Sequence, residues 1–175
     1  ENINYRRAMA DLYAKADRNE EAMADLDEAQ KLTGGGDPKI DRAITAIKTA
    51  HFDQQIAELE QAGDEEGVAQ KEKEKDEFIF QNTEDRIRRY PNDLQIKYEY
   101  GMLLYKRGQM MEAIQQFQQA QRNPQRRISS LFYMALCFKE KGQYDIAAEQ
   151  LEKAASELPI MNDQKKEVLY ELGEL

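Results

Sequence analysis

Apolar residues recur at spacings of three and four along most of the chain, which is the pattern of amphipathic helices rather than of strands. In the clearest example, one helical face collects a set of apolar side chains: Met110, Ala113, Ile114, Phe117 and Ala120. The helical run before this face ends at Gly108, and glycine is the usual residue just past a helix end. The pattern therefore predicts two helices joined by a short turn.

The same pattern returns when the sequence is shifted by 34 residues. Small residues then align with small ones and large apolar residues with large ones, as in the pairs Gly101/Ala135, Gly108/Gly142, Ala113/Ala147, Phe117/Leu151 and Ala120/Ala154. A fixed period of this length indicates stacked helical hairpins, each covering the apolar side of its neighbour. The small positions let helix backbones approach closely, and larger side chains such as Phe138 fill the remaining space.

These residues resemble the tetratricopeptide repeat (TPR), a helix–turn–helix unit of 34 residues with a small residue in its first helix, glycine at the turn, alanine at two places in its second helix and proline near its end. The match is close over 94–127 and 128–161. It departs at Lys97, where the family often has Trp or Leu, and at Gln125, which replaces the terminal proline. The resemblance implies an all-α fold, a right-handed superhelical solenoid of antiparallel helix pairs.

We expect one domain over 1–175, with nine helices arranged as four hairpins and a last helix. The predicted hairpin units are 3–36, 37–93, 94–127 and 128–161. In the first unit, 17–19 replaces the glycine turn and the glycine-rich 33–37 is a linker. The final stretch, 166–175, either opens a further unit or caps the stack, and its apolar stripe predicts a contact with further repeats or with a partner chain.

The second unit, 37–93, is longer than the repeat by 23 residues. We predict that this length is shared between its two helices, one ending near Ala62 and the other running from about Glu65 to Tyr90, as roughly three extra turns each. The pair would extend as an antiparallel, coiled-coil-like arm. Its polar tip and the Lys–Glu run at 71–77 are interpreted either as a solvated surface or as a charged docking prong.

Composition favours a soluble helical protein whose partners are proteins. Charged residues make up 34% and hydrophobic residues 41% of the sequence. The formal net charge of −9 disfavours nucleic acid or an anionic membrane as the main partner. No apolar run approaches the roughly 20 residues needed to span a bilayer, so we expect no membrane insertion. The compartment stays open, and among the alternatives we favour the cytoplasm.

No catalytic or metal-binding set of residues emerges from the sequence. There is one His and one Cys, and no phosphate-binding loop or zinc-binding helix motif. Cys137 lies beside Phe138 on an apolar face and is interpreted as a small buried hydrophobe. His51 is interpreted as a structural or surface residue. We therefore expect no enzyme activity, no cofactor and no metal.

Most repeats of this family bind an extended peptide or helix on a concave face lined by the first helix of each unit. The resemblance implies a groove lined by Tyr98, Met102, Tyr105, Lys106, Phe132, Leu136, Lys139 and Tyr170. Aromatic rings in a groove suit an apolar or aromatic anchor in the ligand. The alternative is that some of these rings pack inside the stack. One family subtype holds a C-terminal carboxylate with Lys, Asn and Arg; the matching positions here include Tyr98, Tyr133 and Glu167, so we expect no such binding.

Arginines cluster at the closing ends of two units: Arg86, Arg88, Arg89, Arg122, Arg126 and Arg127. They are interpreted either as a basic edge for an acidic partner or as local pairs with carboxylates and helix C-termini. Taken together, the sequence favours a non-catalytic scaffold that binds a protein or peptide segment on the concave face. The alternative is an assembly module that self-associates through its open helical ends, the terminal helix included, or through the long arm.

Overall fold

The computed structural model describes residues 2–16, 18–34 and 36–175, and in these ranges it is all helical. The helices are α1 Ile3–Lys15, α2 Asn19–Leu32, α3 Pro38–Ala62, α4 Glu65–Arg89, α5 Leu94–Lys106, α6 Met110–Ala120, α7 Arg127–Glu140, α8 Tyr144–Glu157 and α9 Asp163–Gly173. The all-α prediction with nine helices is confirmed for this part of the chain. Asp17 and Gly35, which fall in two predicted turns, lie outside the described residues.

The helices form two compact units, Glu1–Arg89 and Tyr90–Leu175. In the first unit α1 packs on α2, α2 on α3 and α3 on α4. In the second unit each helix from α5 to α9 packs on the next, and α5 also contacts α7. Because α6 lies against both α5 and α7, the hairpins α5–α6 and α7–α8 are stacked, as the repeat period predicts.

The turns of both hairpins in the second unit have the same structure. Gly108 and Gly142 adopt φ of 75° and 70°, a left-handed conformation that glycine reaches without steric cost. The N–H of Gln109 donates to the Leu104 carbonyl, and that of Gln143 donates to the Phe138 carbonyl, at 2.9 Å each. This is the Schellman arrangement that ends a helix at glycine.

Small residues lie where the helices of the second unit approach most closely. Four alanines are fully buried: Ala113, Ala120, Ala147 and Ala154. Phe117 and Leu151 are buried beside them, whereas Phe138 is half-buried. At Gly101 the approach is closest, since an added Cβ atom would lie 2.8 Å from Cε1 of Phe117. Glycine at this position therefore allows the phenyl ring to pack against the backbone of α5.

The last helix begins earlier than the sequence indicated. It starts at Asp163 rather than near Lys166, because Asn162 caps it. The side-chain oxygen of Asn162 accepts a hydrogen bond from the backbone N–H of Lys165 at 2.8 Å. Asparagine is a preferred residue at this position, where it satisfies one of the open backbone donors of a helix start.

The first unit has its own apolar core around α2. The core residues are Ala10, Ala22, Leu26, Ala29, Ile40, Ile44 and Ile47. A buried carboxylate closes this core beside α4. Asp41 accepts hydrogen bonds from Arg89 Nη1 at 2.7 Å and from Gln30 Nε2 at 2.9 Å. The carboxylate thus links α2, α3 and α4, and its charge is compensated by Arg89.

The predicted elongated helix pair is present, with 25 residues in each of α3 and α4. Buried residues occur in α3 only up to Ile47 and in α4 only at Thr83 and Arg86. Beyond that base the two helices meet through a few half-buried contacts. The rings of Phe52 and Phe78 lie 5.7 Å apart, and Lys75 forms an ion pair with Asp53 across the pair.

Candidate functional site

The surface formed by α5, α7 and α9, called the first-helix surface below, contains a cavity of about 150 Å³. Its lining comes from all three helices: Tyr98, Ser129, Phe132, Tyr133, Gln164, Glu167 and Val168. The helices α5 and α7 open the two hairpins of the second unit, and α9 occupies the next equivalent position. The cavity therefore lies where the repeat brings three successive first helices together.

Aromatic rings form a connected cluster beneath and around this cavity. Tyr133 lies at its centre, with ring centroids 5.5 Å from Phe132, 5.6 Å from Tyr105 and 5.8 Å from Phe117. Tyr98 joins the cluster through Phe117, at 5.9 Å. Such contacts each stabilise a fold by about 0.5–1.5 kcal/mol beyond simple burial. The rings are therefore held in place before any ligand arrives.

The position of the cavity walls depends on Phe117, which belongs to α6 and is fully buried. Its ring packs against both Tyr98 and Tyr133 from below. The ring reaches this place because Gly101 presents no side chain toward it. Phe117 thus contributes both to the packing of the core and to the shape of the first-helix surface.

The lysines near the cavity have polar partners, whereas one carboxylate of its lining has none among the described residues. Lys139 pairs with Glu171 at 3.0 Å, and the ammonium group of Lys165 donates to the Leu158 carbonyl at 2.7 Å. Within the described part of the chain, Glu167 forms neither an ion pair nor a side-chain hydrogen bond, although it lines the cavity. A carboxylate is thus available at the cavity wall.

The tyrosine hydroxyls of the cluster lie in an apolar and negatively charged environment. Burial raises the pKa of Tyr133, and the nearby Tyr98 and Glu167 raise it further, because an ionised phenol would be repelled by them. Burial likewise raises the pKa of Tyr105, with Cys137 and Glu140 as additional causes. Both phenols therefore stay neutral over the physiological range.

The groove residues expected from the sequence occupy several environments. Tyr98 and Phe132 line the cavity, and Tyr105 belongs to the ring cluster. The other members of the predicted groove are Met102 and Leu136, which are half-buried, Lys106 and Tyr170, which are exposed, and Lys139, which is paired with Glu171. Their role in binding a ligand stays a prediction. The alternative reading, rings packed within the stack, holds in part, since Tyr105 and Tyr133 contact one another edge-on.

Sequence reasoning missed Tyr133 and Gln164 as groove residues. Tyr133 follows Phe132 directly, and adjacent positions on a helix point about 100° apart, so only one was assigned to the groove. In the structure both Phe132 and Tyr133 line the cavity, and the Tyr133 ring stacks on Phe117. Gln164 was missed because α9 was expected to begin after it.

Several of the six clustered arginines pair with carboxylates of their own unit. Arg127 pairs with Glu157 through two hydrogen bonds, of 2.6 and 2.7 Å. Arg89 pairs with Asp41, and Arg88 pairs with Glu84 at 3.1 Å. The remaining members are Arg86, which is buried, Arg122, which is exposed, and Arg126, whose guanidinium lies 5.0 Å from the centroid of the Tyr98 ring. These contacts agree with local pairing, and the shared basic edge stays a prediction.

A second cavity, of about 660 Å³, lies in the first unit. Its lining combines short apolar side chains with amides and a carboxylate: Ala14, Asn19, Ala46, Ile47, Ala50, Asp53 and Gln54. It contains no aromatic side chain. The carboxylate of Asp53 is already paired with Lys75.

The structure describes residues 2–16, 18–34 and 36–175. No group of three or more His, Cys, Asp or Glu side chains in these ranges is placed to hold a metal ion. None of the helices there combines the length and the apolar character needed to cross a membrane.

The arrangement of helix pairs is that of the TPR fold, and comparison with solved structures confirms it. The crystal structure of YrrB, described as a TPR protein with an unusual peptide-binding site, matches 97% of this chain and 91% of its own, at 17% identity and a TM-score of 0.56. MamA MSR-1 C2 matches 88% of this chain and 95% of its own, at 19% identity and a TM-score of 0.50. No family model and no curated protein sequence matches the chain. Identities this low establish the shared fold alone.

Proposed function

We propose that this chain is a non-catalytic scaffold that binds an extended protein or peptide segment on the first-helix surface. The observation that carries the proposal is the cavity between α5, α7 and α9, which is open to solvent and walled by three aromatic rings. Large aromatic residues in a fixed position contribute much of the affinity in protein interfaces, because they lose little entropy on binding. YrrB, which shares the fold, is described as having a peptide-binding site of its own.

The charge distribution supports a protein partner rather than a nucleic acid. The first unit contains 14 Lys or Arg against 22 Asp or Glu, a formal net charge of −8. The second unit contains 11 against 12, a net charge of −1. Neither unit offers the excess of basic residues that neutralises a phosphate backbone. Binding a protein segment does not require an excess of basic residues.

The proposal can be tested by selecting random peptides on the immobilised chain and measuring the affinity of the enriched peptides by fluorescence polarisation. Combined replacement of Tyr98, Tyr105 and Phe132 by alanine should weaken binding at least about tenfold, which corresponds to about 1.4 kcal/mol. A control pair, Tyr144→Ala and Ile146→Ala on α8, removes exposed apolar groups away from the cavity and should leave the affinity unchanged.

Because Tyr98 packs on Phe117, a second variant is needed that keeps the core intact. Gln164 is exposed and lines the cavity, so Gln164→Trp should fill the cavity without removing any buried contact. The helical circular dichroism spectrum should be unchanged. Peptides that bind the triple variant and Gln164→Trp as tightly as the unmodified chain would refute a site on the first-helix surface.

A second candidate function is self-assembly through the terminal helix. The observation that favours it is an exposed apolar group at and just before α9: Ile160, Met161, Leu169 and Tyr170. Such groups commonly mark a protein contact. Light scattering should then show dimers or larger species, which Leu169→Glu dissociates. A monomer at high protein concentration would contradict this candidate.

A further inference from the structure

We propose that the cavity of the first-helix surface receives a cationic side chain, lysine or arginine, from the bound peptide. The inference rests on the proposed function and adds the chemistry of the ligand. It differs from the expectation drawn from the sequence, where aromatic groove residues predicted an apolar or aromatic anchor.

Aromatic residues from two helices line the cavity. Tyr98, Phe132 and Tyr133 each contribute an aromatic ring to the lining. The faces of such rings carry negative electrostatic potential and attract ammonium and guanidinium groups. The long alkyl stem of lysine or arginine also packs well against rings while its charged end remains polar.

The carboxylate of Glu167 also favours a cationic side chain. It lines the same cavity and, among the described residues, has no ion-pair partner. The lysines nearest to it in sequence are engaged elsewhere. Lys165 donates to the Leu158 carbonyl, and Lys166 pairs with Asp163 at 3.0 Å. The negative charge of Glu167 is therefore available to pair with a cationic group of a ligand.

The size of the cavity fits one side chain. Its volume of about 150 Å³ lies below the range of about 300–1,000 Å³ that is usual for small-molecule sites. Ser129 and Gln164 supply polar atoms at the rim. A single long side chain with a polar end matches this combination of aromatic residues, polar side chains and one carboxylate.

Arg126 lies close to the cavity residue Tyr98 and would favour an anionic ligand instead. Its guanidinium lies 5.0 Å from the Tyr98 ring centroid, and its Nε donates to Gln95 at 2.8 Å. Arg126 is not part of the cavity lining. Its position demonstrates that the Tyr98 ring accepts a cation on one side. If the ligand were anionic, Arg126 would be its partner; if the ligand is cationic, Arg126 weakens binding by repulsion.

The experiment uses the random peptides selected on the full chain and a minimal probe, Nα-acetyl-lysine methylamide, with its norleucine analogue as the uncharged control. We expect the selected peptides to share one Lys or Arg position, and its replacement by norleucine to weaken binding about tenfold. Titration of the two amides, followed by NMR of labelled tyrosines, should shift Tyr98 and Tyr133 with the lysine derivative only.

Two conservative variants decide the sign of the interaction. Glu167→Gln should weaken the basic peptides about tenfold, whereas Glu149→Gln, an exposed residue on α8, should not. Arg126→Gln should strengthen them, by removing a like charge. Binding that is unchanged by Glu167→Gln, or that is weakened by Arg126→Gln, would overturn the cationic ligand.

The outcomes separate this inference from the proposed function. Selected peptides that lack a basic position but lose affinity on Gln164→Trp leave the peptide site in place and refute the cationic side chain. Selected peptides indifferent to Gln164→Trp and to the triple replacement refute both. Failure to select any peptide counts against both as well.

Discussion

Replacing Gly101 by alanine is the smallest change that tests whether core packing shapes the cavity. The added Cβ would lie 2.8 Å from Cε1, 3.0 Å from Cδ1 and 3.1 Å from Cζ of Phe117. Real side chains do not tolerate the shortest of these distances. The Phe117 ring is fully buried and packs against Tyr98 and Tyr133, so it cannot relieve the clash by rotating into solvent. It must displace the two tyrosines or the α5 backbone.

The magnitude follows from two opposing effects. Adding a methyl group to a filled core costs about 1–3 kcal/mol. Alanine in place of glycine inside a helix returns up to about 1 kcal/mol. Because the ring in contact is enclosed on both sides, we take the upper part of the first range. The net expectation is a loss of about 1–2 kcal/mol in the free energy of unfolding of the second unit.

Urea unfolding followed by tyrosine fluorescence is a suitable assay, because every tyrosine other than Tyr5 and Tyr13 lies in the second unit. The matched control is Gly173→Ala in α9, where an added Cβ would meet no atom within 4 Å. We expect no loss of stability there. Combining Gly101→Ala with Phe117→Leu should cost less than the sum of the two single changes, because the smaller side chain removes the clash.

The result that would refute this reasoning is a Gly101→Ala variant as stable as Gly173→Ala. Additive effects of Gly101→Ala and Phe117→Leu would also contradict it, since residues in direct contact are expected to couple. Peptide affinity should fall in Gly101→Ala, because Tyr98 and Tyr133 move with Phe117.

Two other predictions concern the buried thiol and the long helix pair. Burial raises the pKa of Cys137 to about 11 from its ordinary value of 9.0, so an aromatic disulfide should label it near pH 8.5 only after urea unfolds the chain. Since the folded state keeps this proton longer than the unfolded state, the stability that Cys137 contributes falls as the pH rises above about 9; rapid labelling of folded protein would contradict its burial. Deleting 56–62 together with 65–71, about two turns from each helix, should change the unfolding free energy of the first unit by less than about 1 kcal/mol, because no buried residue is removed. Ile44→Ala, at the buried base, should cost about 2–5 kcal/mol. Urea unfolding followed by circular dichroism measures both variants, and equal losses would show that the outer part of the pair supports the core.

The repeated pattern of small and large residues predicted most of the fold. Each small position allows two helices to approach closely, and each large position fills the space between them. Gly108 and Gly142 end helices through left-handed conformations that few other residues adopt. The ends of these helices can therefore be predicted from the glycines alone. The length of the elongated pair also followed from the sequence, because the residues that begin and end α3 are recognisable. Asp37 caps α3 through the Lys39 N–H at 2.8 Å, and Gly63 ends it. These features depend on neighbours in sequence.

The cavity depends on contacts between helices, and these were harder to foresee. Tyr133 reaches the cavity only because Phe117 supports it from α6. The open carboxylate of Glu167 depends on where neighbouring lysines find their partners. Lys75 pairs with Asp53 on the facing helix rather than within its own charge run. The register between helices determines the contacts of Tyr133 and Lys75, and the pattern of apolar positions in the sequence does not give that register.

The exposed Gly63–Asp64 turn at the end of the long helix pair has a practical consequence. Because the buried positions stop at Ile47 and resume at Thr83, a folded guest such as a fluorescent protein or an epitope tag can be inserted genetically at this turn without reaching the core. Such a fusion would report the location of the protein in living cells while leaving the second unit unmodified.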